Sequence, residues 1–120
     1  MKKKLVILFA ALIILAGSTT VLAKSTNPSS SCIKGAIRTY RTALKTANTN
    51  YVAAIKEANN AYKAAVKNAK GITNKTTRKA ALRAALKAMQ SAKRKANQDL
   101  RAAKRAANVQ YQAARKACRK

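Results

Sequence analysis

Residues 40–69 read YRTALKTANTN, YVAAIKEANNA and YKAAVKNA, three units that open on Tyr40, Tyr51 and Tyr62. In each unit the fourth place is Ala (Ala43, Ala54, Ala65) and the fifth is aliphatic (Leu44, Ile55, Val66). The sixth place is Lys (Lys45, Lys56, Lys67) and the eighth is again Ala (Ala47, Ala58, Ala69). A repeat of eleven spread over three turns gives about 3.67 residues per turn, close to the natural pitch of an α-helix. Places one, four, five and eight therefore share one stripe, while place six lies nearly opposite and faces water.

The frame extends in both directions. One unit back, Cys32 takes the fourth place, Ile33 the fifth, Lys34 the sixth and Ala36 the eighth. Beyond residue 70 the frame resumes at Arg78, Met89, Leu100 and Tyr111, with Ala81, Ala92, Ala103 and Ala114 in fourth place. Here Arg83, Arg94, Arg105 and Lys116 hold the sixth place, and Ala85, Ala96, Ala107 and Cys118 the eighth. Between Tyr62 and Arg78 the frame slips by five residues, about the length of a helix–helix turn. The pattern predicts an all-α protein: an antiparallel two-helix hairpin over 32–120, with helix 1 near 32–70, a turn at 71–75 and helix 2 near 76–118.

Alanine is the strongest helix former, and Lys, Arg, Gln, Leu and Met follow closely. Ser29, Ser30 or Ser31 can cap the first helix, and Asn74, Thr76 or Thr77 the second. Gly71 is expected to end helix 1 in a left-handed conformation. The larger residues, from Tyr40, Leu44 and Ile55 to Leu82, Leu86, Met89, Leu100 and Tyr111, are expected to supply most of the apolar burial. In helix 2 the fifth place turns basic (Lys93, Lys104, Arg115), so the seam is thin and marginal alone. The two cysteines answer this. Each lies 43 residues from Lys75, so an antiparallel hairpin brings them level, and both replace Ala in the seam. A Cys32–Cys118 disulfide across the open end is the expected result.

Met1 to Ala23 has the form of a secretory signal: Lys2 to Lys4, an apolar run from Leu5 to Ala16, and Val21-Leu22-Ala23 ahead of a cleavage point before Lys24. The alternative is an uncleaved N-terminal membrane anchor. Lys24 to Ser31 reads as a flexible linker. The expected location is secreted, periplasmic or at the cell surface.

The chain has 27 Lys and Arg against two acidic residues, a formal charge of +25. Loss of Lys2 to Lys4 leaves 24 basic residues against Glu57 and Asp99, or +22. Solubility alone asks for a magnitude of only about 2–8 in a small domain. Such a charge attracts polyanions. The candidate docking residues are Lys34, Lys45, Lys56, Lys67, Arg83, Lys93, Arg94, Lys95, Arg101, Lys104, Arg105, Arg115, Lys116, Arg119 and Lys120. The partner expected is an anionic polymer: nucleic acid, such as extracellular DNA, or an envelope polyanion, held through counterion release. An anionic membrane surface is a further partner, although membrane-active helices expose a bulky apolar face that this chain lacks. A structural role is the alternative, with hairpins associating into homo-oligomers through the apolar edge a two-helix core leaves open.

The sequence holds no histidine, so neither a Ser–His nor a Cys–His pair can form. Two carboxylates and two cysteines are too few for a metal site beside a disulfide. No glycine-rich phosphate loop is present, no cofactor is implied, and an enzyme is not expected. The four tyrosines could stack on bases, but their spacing places them in or beside the seam.

Overall fold

The computed structural model describes residues 28–120. The expected signal segment, its cleavage before Lys24 and the start of the linker lie outside the described residues. Two α-helices, α1 (Pro28–Lys70) and α2 (Lys75–Ala117), run 43 residues each and pack antiparallel along their whole length. At 1.5 Å per residue each is about 64 Å long. Among the described residues, no helix is long and apolar enough to cross a membrane.

The seam is built from the smallest side chain that still favours a helix. Among the described residues five are buried, Ala47, Ala58, Ala69, Ala96 and Ala107, at 2–7% exposure, and all five hold the eighth place of the repeat. Place eight is thus the centre line of the contact. The places beside it, with Tyr40, Tyr51, Tyr62, Met89, Leu100 and Tyr111 among them, are half-buried. The larger residues there keep most of their surface from water, as expected, but Leu82 and Leu86 on α2 are exposed. Among the described residues no large side chain is fully buried, and Leu82 and Leu86 are 36% and 41% exposed. Two helices cover only a narrow arc of each other, and Leu82 and Leu86 fall at places five and nine, toward its rim. Fourth-place Ala92 and Ala103 are likewise exposed rather than in the seam.

The register follows one rule: residue i lies level with residue 150 − i. Cys32 and Cys118 obey it with a disulfide and a Cα–Cα distance of 5.7 Å. Tyr40 and Tyr111, one step off, meet with ring centroids 5.1 Å apart. Under this rule every fourth-place Ala of α1 faces an eighth-place Ala of α2: Ala43 and Ala107, Ala54 and Ala96, Ala65 and Ala85. The disulfide occupies the same slot one repeat further out. Closure of so long a loop stabilises by about 4–5 kcal/mol in the chain-entropy account.

The ends of the helices depart from expectation in three ways. α1 begins at Pro28, four residues before the expected start, so Ser29, Ser30 and Ser31 lie in its first turn. Proline suits that first helical position, because its φ is preset and its missing N–H would have had no partner there. Gly71 ends α1 without a positive φ. Instead the last turn tightens: Gly71 N–H donates to the Asn68 carbonyl and Ile72 N–H to that of Ala69, each at 3.1 Å. α2 starts and stops one residue earlier than expected. Its cap is Asn74, whose side-chain oxygen accepts from the Thr77 N–H at 3.0 Å.

α1 carries several residues with weak helix preference and still runs unbroken. Thr39, Thr42 and Thr49 each donate their hydroxyl to the carbonyl four residues back, at 3.0–3.2 Å. That back-bonding costs a helix slightly, so the continuity of α1 rests on its alanines and on packing against α2.

Candidate polyanion interface

A lysine or arginine belongs on a water-facing position, because stranding its charge in a dry seam costs several kcal/mol. All eight sixth-place cations obey this. Lys34, Lys45, Lys56, Lys67, Arg83, Arg94, Arg105 and Lys116 are exposed, along the outer edges of the two rods. Arg101, Lys104, Arg119 and Lys120 are exposed as well. Lys93 and Arg115 hold fifth places beside the seam and are half-buried. The Arg115 guanidinium sits over the Tyr111 ring, 5.7 Å from its centroid. The tyrosine ring both packs on Tyr40 across the seam and offers its π face to a cation.

Lys95 stands apart from the other candidates. It occupies a seventh place, and its ammonium donates to both Asp99 carboxylate oxygens, at 3.0 and 3.2 Å. The two side chains are 74% and 65% exposed, so the pair stabilises the helix by at most ~1 kcal/mol. Its main effect is to cancel a charge where it stands.

The position of Lys95 exposes a feature of the whole hairpin. Of the 27 basic residues, 23 lie within 28–120. All but Lys95 fall at places one, two, five, six, nine or ten of the repeat. Places three, four, seven and eleven hold Ala, Ser, Thr, Asn, Gln and Gly, with Pro28, Cys32, Glu57, Ile72, Asp99 and Lys95 as the exceptions. Those four places span an arc of about 100° on a helix of this pitch. Because the rods are antiparallel, the arcs of both open on the same side. Asn50 and Glu57 of α1 and Lys95 and Asp99 of α2 line one groove of about 650 Å³. Thr39, Ala43, Gln110 and Ala114 line a smaller groove toward the disulfide. The hairpin thus has a neutral, small-residue face and a cationic remainder. Both carboxylates of the chain lie on the neutral face.

No family model, curated protein or solved structure matches this chain. Its function must therefore be argued from the charge layout itself. Among the described residues, no three His, Cys, Asp or Glu side chains converge. Sequence reading placed Lys95 in the basic strip with Lys93 and Arg94. The geometry turns it about 100° away from Arg94, onto the other face. The neutral face was not singled out from the sequence. Its signal was the set of places from which cations are missing.

Proposed function

We propose that this protein binds anionic polymers without sequence preference, through the cationic flank of α2 and the adjoining edge of α1. The reading rests on one observation: 22 basic side chains are kept to six of eleven repeat places over about 64 Å of rod. A charge added only for solubility has no reason to avoid one face. The densest part runs from Lys93 to Lys120, through Arg94, Arg101, Lys104, Arg105, Arg115, Lys116 and Arg119. A rigid rod holds these side chains at a fixed pitch before any ligand arrives, so little backbone order is lost on binding. Phosphate contacts of this kind set affinity and orientation and carry no base information.

The test is a titration of duplex DNA and of heparin into the oxidised protein between 50 and 200 mM salt. Six to ten neutralised phosphates give a slope of log K against log salt of about −5 to −9 on DNA, a loss of roughly 10³–10⁵ in affinity over that range. Equal strength on the two polymers supports a charge-reading surface. A flat salt response would remove the proposal.

A further inference from the structure

The neutral face carries an inference of its own, independent of which polyanion the flank holds. We propose that it is the interface of a two-fold dimer, in which a second copy of this hairpin stacks on it to make a four-helix bundle.

Charge names the occupant. A chain this cationic repels a copy of itself wherever two cationic surfaces would meet. The arc of places three, four, seven and eleven is the one approach that brings no excess of positive charge together. Lys95 there is already cancelled by Asp99, and Glu57 is in no ion pair among the described residues. The face as a whole carries two acids and one base, a net charge of −1. An anionic polymer has no reason to prefer it.

Register supplies the orientation. Glu57 and Lys95 lie level within about two residues, both at seventh places, which flank the groove and point away from their own seam. A two-fold axis parallel to the rods lays α1 of one copy over α2 of the other at the same level. Glu57 of each copy then faces Lys95 of the other, and the pairing occurs twice. Every helix in that arrangement has only antiparallel neighbours, the up-and-down bundle with opposed dipoles. The contact strip is about 64 Å by roughly 15 Å, or on the order of 2,000 Å² counted over both copies, enough for a stable interface. Exposed Ala61, Ala84, Ala88, Ala103 and Ala106 line it, small enough for close approach of the backbones.

The salt response is opposite to that of polyanion binding, because screening weakens the repulsion between copies. Sedimentation velocity of the oxidised full chain at about 100 µM separates the two. The dimer predicts the mass of two chains at 0.5 M NaCl, falling toward one at 20 mM. The variant A61K/A106K places cations on the face and should stay at one chain, while V109K, on the cationic side, should match the parent. E57K should weaken the dimer roughly tenfold, and E57K/K95E should restore it. All five positions are exposed, and helicity by circular dichroism checks each variant. A single-chain mass at every salt concentration would overturn the proposal, as would open-ended growth or a dimer indifferent to A61K/A106K. Single chains that co-sediment with phosphatidylcholine vesicles would give the face to a lipid surface and also overturn it. Dimers without rescue in E57K/K95E would refute the two-fold orientation.

Discussion

The disulfide should contribute more to this fold than any non-covalent layer of the seam, and C32A/C118A measures by how much. The substitution is clean, because Ala is what the repeat puts at those two places everywhere else. Cys32 and Cys118 stand 86 residues apart in sequence, and the chain-entropy relation for such a loop gives about 4–5 kcal/mol. The non-covalent side is thin: among the described residues the five buried ones are all alanines, and no large side chain is fully buried. A domain of under 100 residues shifts by about 4–8 °C per kcal/mol, so Tm should fall by roughly 20 °C or more. Circular dichroism at 222 nm against temperature reads this directly, with the reduced parent as a second route to the same state. The open variant should also melt over a broader range, since helices of this length keep part of their helicity when the tertiary contact is lost. A loss below about 1 kcal/mol would refute the reasoning, because the seam would then hold the hairpin without the link.

Three further changes probe separate parts of the account. G35A replaces an interior helix glycine around which a Cβ meets nothing within 4 Å, and should stabilise by about 0.8–1 kcal/mol in urea unfolding. N74A removes the side-chain oxygen that accepts the Thr77 N–H, and should cost about 1 kcal/mol in the same assay. A58L forces bulk into the centre line of the seam, where Ala58 is 6% exposed, and should cost about 1–3 kcal/mol. The same change at exposed Ala53 should be within ~0.5 kcal/mol, and a similar loss at both positions would show that place eight is not the seam centre.

The repeat made the architecture readable because one period governs both the chain's helical pitch and its chemistry. The slip between Tyr62 and Arg78 located the turn, and the symmetry of Cys32 and Cys118 about Lys75 located the closure. What periodicity could not fix was the width of the contact. It assigns a stripe, and the neighbour decides how much of that stripe is covered, so Leu82, Leu86, Ala92 and Ala103 read as seam yet lie exposed. The start at Pro28 was hidden by a cluster of serines that suit a cap as well as a first turn. The cationic flank was legible from sixth-place Lys and Arg, but consecutive residues such as Lys93, Arg94 and Lys95 looked like one run. A helix separates neighbours by about 100°, which sends Lys95 to Asp99 and leaves the other two on the flank.

The segregation of charge is the claim on which both functional proposals stand, and lysine acetylation with and without bound DNA tests it most directly. Mass spectrometry of the modified peptides compares Lys95 with Lys104 and Lys116, which share its helix and are all exposed. The account predicts that DNA slows acetylation of Lys104 and Lys116 several-fold and leaves the rate at Lys95 unchanged. Equal protection of all three lysines would contradict it.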